Sequence, residues 1–309
     1  MPPPTSNLDL SVTVGGIHMK NPVMVASGTF GYGPEYADLV DLNQLGAIVV
    51  KGICLHPTRG NPTPRTAEVP SGLLNAIGLP GPGVDGFVRD YMPFLRNYDL
   101  PVIVNIWGKT IEEYTEVASR FDQIEGIAGL EINVSCPNIK EGSALFGTDL
   151  DMFRRVLDPI RKATRLPIIP KLAPNVSDIA AFARAAEASG ADAISLINSF
   201  PGMAVDIATR RPKLANITGG LTGPAIRPLA VRLVWLAAQA VSIPVIGMGG
   251  ITNARDAAEF MIVGAHAVAI GTANFTQPDT ALRVIEGLRD LLAAEGLTSP
   301  RELTGTFQP

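Results

Sequence analysis

The chain has 309 residues, 46% apolar and 17% charged, which excludes a disordered polypeptide and provides for a large core. Its net charge of −4, with basic residues scattered and only Arg210-Arg211 clustered, excludes a general nucleic-acid binder. No apolar run reaches the roughly 20 residues of a membrane span, and two cysteines, Cys54 and Cys136, make neither a disulfide framework nor an iron–sulfur ligand set.

Met1-Pro2-Pro3-Pro4-Thr5 lacks the charged-then-apolar pattern of a secretory signal, so a reducing cytoplasm is the expected compartment. The Asn-x-Ser/Thr matches at Asn133, Asn175 and Asn216 are then read as accidental.

Short β-rich runs recur along the chain. They are Val23–Ala26, Ala47–Val50, Val102–Val104, Leu130–Ile132, Ile168–Pro170, Ala193–Ile197, Val245–Met248 and Ala267–Ile270. Near-continuous apolar strands suit a parallel sheet covered on both faces. Amphipathic stretches predict helices at Ile111–Phe121, Asp149–Thr164, Val176–Ser189, Pro224–Val241, Asn253–Val263 and Asp279–Glu295. Eight strand candidates alternating with helices predict an α/β fold, a (β/α)8 TIM barrel, in preference to a doubly wound sheet. One domain spanning 1–309 is expected. Two connections, 55–82 and 199–223, are too long for plain βα loops and are read as active-site insertions over the C-terminal face. Gly81-Pro82-Gly83-Val84-Asp85-Gly86 matches a dinucleotide pattern formally, but Pro82 sits inside it and no clear strand precedes it, so it is read as a turn.

Barrel enzymes carry their sites at the C-terminal strand ends. Here those ends are Ser27, Lys51, Asn105, Asn133, Lys171, Asn198 with Ser199, Gly249-Gly250, and Gly271-Thr272. An ammonium closing an apolar run is expensive without a partner, so Lys51 and Lys171 converging on one mouth point to an anionic ligand or cofactor. Glycine-rich ends on the last two strands suit a phosphate, whose oxygens would meet backbone N–H groups. Among phosphate-bearing cofactors flavin mononucleotide (FMN) fits this arrangement.

Cys54, inside Gly52-Ile53-Cys54-Leu55, reads as a packing residue. Cys136 differs, because it lies in the loop Ser135-Cys136-Pro137-Asn138 beyond a strand end. Nucleophilic catalysis would want a histidine nearby. None of His18, His56 and His266 lies at such a strand end, so Cys136 is read as a general base.

Four motifs taken together resemble the class 1 dihydroorotate dehydrogenases. They are Asn133-Val134-Ser135-Cys136-Pro137-Asn138, Asn75-Ala76-Ile77-Gly78-Leu79, Lys171-Leu172-Ala173-Pro174-Asn175 and Gly247-Met248-Gly249-Gly250-Ile251. The resemblance runs in order from Asn21-Pro22 to Gly271-Thr272. The tract from Asn198 to Ile226, with Arg211-Pro212 and Gly219-Gly220-Leu221-Thr222-Gly223, resembles subclass 1B in particular.

This resemblance implies FMN at the barrel mouth and oxidation of dihydroorotate to orotate in pyrimidine biosynthesis. By matching position, Ser27, Lys51, Gly52, Asn105, Asn133, Lys171, Ile197, Gly223, Gly249, Gly250, Gly271 and Thr272 would contact FMN. Lys51, Asn75, Ala76, Ile77, Gly78, Leu79, Asn133, Asn198 and Ser199 would hold the substrate. Cys136 would remove the proton at C5 while hydride leaves C6 for the flavin, and Lys171 would offset the negative charge that develops there.

Subclass 1B further implies a homodimer and a heterotetramer with a second subunit carrying FAD and a [2Fe–2S] cluster, which passes electrons to NAD+. No metal site, nucleic acid or membrane is expected of this chain. Alternative readings are a fumarate-linked 1A-like enzyme, another FMN barrel acting on dihydropyrimidines, and a flavin-binding module without activity. Three positions depart from the family pattern. Ser199 stands where threonine is usual, Ala173 replaces a hydroxyl residue, and Trp107 is bulkier than expected.

Overall fold

The computed structural model describes residues 8–134 and 146–309. Eight parallel strands carry the fold: β1 (Val23–Val25), β2 (Ala47–Ile53), β3 (Val102–Ile106), β4 (Ile127–Ile132), β5 (Ile168–Pro170), β6 (Ile194–Leu196), β7 (Val245–Met248) and β8 (Ala267–Ile270). They pair in the order β6-β7-β8-β1-β2-β3-β4-β5, and a parallel bridge between Lys171 and Ser195 joins β5 to β6. The sheet is thereby closed into the expected (β/α)8 barrel.

Strand alternation sorts the side chains into two sets. Met24, Ala47, Val49, Ile103, Ile169, Ala193, Ile246, Met248, Ala267 and Ala269 fill the interior. A hairpin pairing Val12–Val14 with Ile17–Met19 plugs the N-terminal end of the barrel through Val14, Ile17 and Met19. The other set, including Ile48, Val50, Val104, Ile106, Leu130 and Ile132, packs outward against the helices. An interior closed by apolar residues at its base leaves only its C-terminal mouth for polar groups.

The six expected helices form at Ile111–Phe121, Leu150–Ala163, Ile179–Ala188, Arg227–Ala238, Ala254–Ile262 and Thr280–Glu295. Their starts follow from local chemistry. Side chains of Thr110, Asp149, Asp178 and Asn253 accept first-turn backbone N–H groups, which would otherwise lack partners. Among the described residues no helix is long and apolar enough to cross a membrane.

One expectation needs correction. Gly81–Gly86 is not simply a turn, because Pro82 caps a helix over Gly83–Asp90. Burial of Val84 and Phe87 outweighs the poor helix propensity of its two glycines. The two long connections carry strands of their own. Phe200–Met203, Thr218–Thr222, Gly72–Asn75 and Thr66–Val69 form one four-stranded antiparallel sheet in that order. Thr66–Val69 with Gly72–Asn75 and Phe200–Met203 with Thr218–Thr222 pair locally, but the pairing of Gly72–Asn75 with Thr218–Thr222 that joins them spans more than a hundred residues, so local sequence carries no sign of the joined sheet. Leu74, Ala76 and Leu214 form a small separate core beneath the sheet.

Candidate active site

Inward positions along the strands decide what reaches the mouth. On β2 the inward series Ala47, Val49 ends at Lys51; on β3 Ile103 is followed by Asn105; on β5 Ile169 is followed by Lys171. On β4 the same row carries Glu131 and, just beyond the strand, Asn133. Lys51, Asn105, Asn133 and Lys171 converge on a cavity of about 510 Å³, within the usual range for a cofactor site, and Glu131 lies one layer beneath it.

The cavity is lined by Ser27, Lys51, Gly52, Asn75, Ile77, Gly78, Leu79, Asn105, Asn133, Lys171, Ile197, Asn198, Ser199, Gly223, Gly249, Gly250, Gly271 and Thr272. Every cofactor residue expected from the sequence is in this set, and so are all but one of the substrate residues. The exception is Ala76, which is 1% exposed and packs with Leu74 and Leu214 rather than facing the cavity. Its backbone N–H is tied to the Arg65 carbonyl at 2.8 Å, which turns it away from its neighbours Asn75 and Ile77. Cys136, with Ser135, Pro137 and Asn138, lies outside the described residues.

Beneath the cavity is a buried polar network. The Glu131 carboxylate accepts from Asn105 Nδ2 at 2.6 Å and from Ser195 Oγ at 2.9 Å. Lys171 Nζ lies 3.5 Å from Glu131 Oε2 and donates to Ser27 Oγ at 3.4 Å. Asn133 is pinned through its backbone, with its N–H on the Ile106 carbonyl at 2.9 Å and its carbonyl accepting from the Tyr114 hydroxyl at 2.7 Å. Buried polar groups of this kind persist only when hydrogen-bonded.

Lys51 is half-buried beside Arg65, which also lines the cavity. Loss of hydration lowers its pKa from the ordinary lysine value, and the positive charge of Arg65 lowers it further. Two cations facing one cavity favour an anionic ligand.

The segment after Asn75 is shaped by Asn61 and Thr58. Asn61 donates its backbone N–H to Ile77 and its amide to Ala76, each at 3.0 Å, and Thr58 Oγ1 donates to the Leu79 carbonyl at 2.6 Å. Asn75 Nδ2 donates to the Gly220 carbonyl at 3.2 Å, joining the two insertions over the mouth. Ser199 Oγ sits against Gly220, in the space that a Cβ there would occupy. Trp107 fills the space behind Gly52, where a Cβ would lie 3.1 Å from its Cδ1 and 3.0 Å from Asn105 Oδ1. The unexpected bulk of Trp107 is thus core packing. Ala173 is buried, and nothing in the structure explains its lack of a hydroxyl.

Opposite lies the glycine-rich cradle. Gly249 and Gly250 have φ of 132° and 77°, and a Cβ on Gly250 would stand 2.8 Å from the Gly223 carbonyl. Asp256 fixes the following turn, accepting from Thr252 N at 2.9 Å, Thr252 Oγ1 at 2.7 Å and Asn253 Nδ2 at 3.1 Å. It is held in turn by Arg227. Gly249, Gly250, Ile251 and Thr252 all line the cavity, so this ordered turn presents backbone to it, a geometry suited to a phosphate.

Reading the sequence by strand ends misses Glu131, Ser195, Arg65, Tyr114, Thr252 and Asp256. The signal for Glu131 is present, as a charged residue inside an apolar strand two positions before Asn133. Arg65 and Asp256 carry no such local sign.

The family model described as Dihydroorotate dehydrogenase matches residues 9–292. The chain is 53% identical over 300 residues to "Dihydroorotate dehydrogenase B (NAD(+)), catalytic subunit" of Geotalea daltonii, covering 97% of this chain and 98% of that protein. It is 52% identical over 301 residues to the protein of the same description from Thermoanaerobacter pseudethanolicus, covering 97% and 99%. The corresponding protein of Geobacter metallireducens is 52% identical over 300 residues, covering 97% and 98%.

Proposed function

The chain belongs to the dihydroorotate dehydrogenase family, an oxidoreductase family dependent on flavin, and from that premise we propose that it oxidises (S)-dihydroorotate to orotate in pyrimidine biosynthesis. The observation that carries this reading is the convergence of Lys51, Lys171 and four asparagine amides on one cavity that also holds a glycine-lined phosphate cradle.

The residues present fit FMN. Both Gly249 and Gly250 need their glycine, since a Cβ would strike Ala230 at the first and the Gly223 carbonyl and Arg227 at the second, and this leaves bare backbone at the cavity wall for phosphate oxygens. Ile197 and Met248 offer apolar surface for a flat ring, and Lys171, Ser27 and Asn105 offer polar groups for its edge. When bound, FMN supplies the two-electron acceptor for hydride leaving C6 of the substrate. Lys51 and the Asn75–Leu79 turn hold the substrate carboxylate, while Asn133, Asn198 and Ser199 orient its amide-bearing ring. Lys171 stands at the cavity floor, placed to offset negative charge developing there. Cys136, three residues beyond Asn133, removes the C5 proton.

In this reading residues 1–309 are one catalytic domain, working in the cytoplasm as a homodimer within a heterotetramer. The partner subunit carries FAD and a [2Fe–2S] cluster and delivers electrons to NAD+. The relatives' description as an NAD(+)-linked catalytic subunit supports such a partner.

The test is anaerobic addition of dihydroorotate to the purified flavoprotein. Rapid bleaching of the flavin with release of orotate is expected, and NAD+ should reoxidise it only when the partner is present. A flavin unaffected by dihydroorotate but bleached by dihydrouracil would overturn the substrate assignment. Direct reoxidation by fumarate would assign the 1A-like chemistry instead.

A further inference from the structure

Glu131 is 2% exposed, yet it neither lines the cavity nor serves the reaction described above. Its hydrogen bonds nevertheless lead to the cavity in one direction. An ionised carboxylate only accepts hydrogen bonds, so Asn105 must turn its Nδ2 toward Glu131, as it does at 2.6 Å. That leaves Asn105 Oδ1 facing outward, where it accepts from Asn133 Nδ2 at 3.4 Å. Asn133 Oδ1 then accepts from Asn198 Nδ2, also at 3.4 Å. Asn198 Oδ1 in turn accepts from the backbone N–H of Ser199 at 2.9 Å.

The four links run head to tail, from a backbone donor that cannot reverse to a carboxylate that cannot reverse. Between these fixed ends each amide has one orientation that satisfies both neighbours. An isolated asparagine amide can flip at little cost, exchanging a donor edge for an acceptor edge. Asn105, Asn133 and Asn198 all line the cavity, so the direction of the relay decides which edge each one offers a ligand. A pyrimidine ring alternates carbonyl and N–H groups, and a single flipped amide would face donor with donor or acceptor with acceptor.

We propose that Glu131 is a positioning residue that sets the hydrogen-bond polarity of the three cavity asparagines, and through them the donor and acceptor pattern required of the ligand. The inference rests on the dihydroorotate reading for the identity of that ligand, but not for the relay itself.

The test uses the flavin-loaded full-length protein and orotate as probe, with affinity read by calorimetry. Glu131→Gln can still accept from Asn105 and donate to Ser195 Oγ, whose hydroxyl can rotate to accept. It keeps the relay direction and should weaken orotate binding no more than about threefold, within the range of one modest hydrogen bond. Glu131→Met has similar length but no acceptor. It should weaken orotate roughly ten- to a hundredfold, as expected for two misdirected hydrogen bonds, and Lys171→Met, which breaks the same ion pair but leaves the carboxylate on Asn105, separates this effect from the loss of that pair. Equal loss in both variants would overturn the proposal, since it would assign the effect to the lost charge; so would wild-type affinity in Glu131→Met.

A neutron structure of the wild-type protein needs no variant and tests the direction itself. Deuterium on Asn105 Nδ2 pointing at Glu131, with the same sense at Asn133 and Asn198, is expected, and reversal at any of the three would refute the relay. If wild-type protein fails to bind orotate, the functional reading fails, and the neutron result alone then decides the relay.

Discussion

The Glu131 carboxylate stands 3.5 Å from the Lys171 ammonium, with side chains only 3% and 6% exposed. A buried ion pair contributes little net stability compared with an apolar replacement, yet removing one member strands the other. Lys171→Met is therefore expected to destabilise the flavin-free protein by about 3–5 kcal/mol. Adding Glu131→Gln should recover part of that loss. Urea denaturation of both single variants and the double variant measures the coupling, and strict additivity would show that the pair does not act as a unit.

Cys136→Ala is expected to keep its flavin and lose roughly 10²–10⁴-fold in the rate of flavin reduction by dihydroorotate, the range for a positioned base. Cys136→Ser should fall between the variant and the wild type. Anaerobic stopped-flow absorbance measures both, and an unchanged rate in the alanine variant would remove Cys136 from the mechanism.

Lys51 supplies a pH dependence. Burial, assisted by Arg65, holds its pKa below the ordinary 10.5. The neutral amine therefore appears at lower pH than for a solvated lysine, and an anion loses its partner as pH rises through that lowered value. Orotate affinity should be steady near neutrality and decline in the alkaline range before pH 10.5 is reached. Lys51→Arg keeps its charge throughout, so its pH profile isolates the part due to lysine from any titration of the ligand. Arg65→Gln removes the repelling charge and should move the decline to higher pH.

Gly250→Ala tests the cradle. Its φ of 77° disfavours any side chain, and the added Cβ meets the Gly223 carbonyl, which is backbone and cannot swing aside. Flavin affinity should fall at least about tenfold, corresponding to about 1–2 kcal/mol of strain. Flavin content after gel filtration and fluorescence titration of the apoprotein measure it. Retention of flavin at wild-type affinity would mean that the cradle tolerates a methyl group there.

Asp256→Asn examines the support of that cradle. The carboxylate orders Thr252 and Asn253 and pairs with Arg227, whose side chain is about a third exposed. The partial exposure limits the expected loss to about 1–3 kcal/mol. Thermal unfolding with and without flavin should show a larger fall for the loaded protein, because Thr252, which Asp256 orders, lines the cavity beside Gly249 and Gly250.

The positions of the eight strands along the chain, the six helices, and the polar residues closing the strands were determined by the sequence itself. Strand and helix periods are local, and a lysine or asparagine at the end of an apolar run announces itself. The (β/α)8 fold and the strand-end residues of the cavity could be read in this way, whereas Gly52, Asn75, Ile77, Gly78, Leu79, Ile197 and Gly223 came from the family resemblance. Period-two alternation could also have exposed Glu131, since it shares the inward row with Asn133. Other features depend on contacts between residues far apart in the chain, and only the tertiary structure decided them. Short strands from the two insertions pair into one sheet over the mouth, Arg65 comes to rest beside Lys51, and Asp256 reaches back to hold a turn. Ala76 faces away from the cavity although it sits between two residues that line it. The hydrogen-bond direction of Asn105, Asn133 and Asn198 is the clearest case. Each amide is symmetric enough to point either way, and the chain of bonds that orients all three ends on Glu131, which meets Asn105 only because β3 and β4 pair side by side.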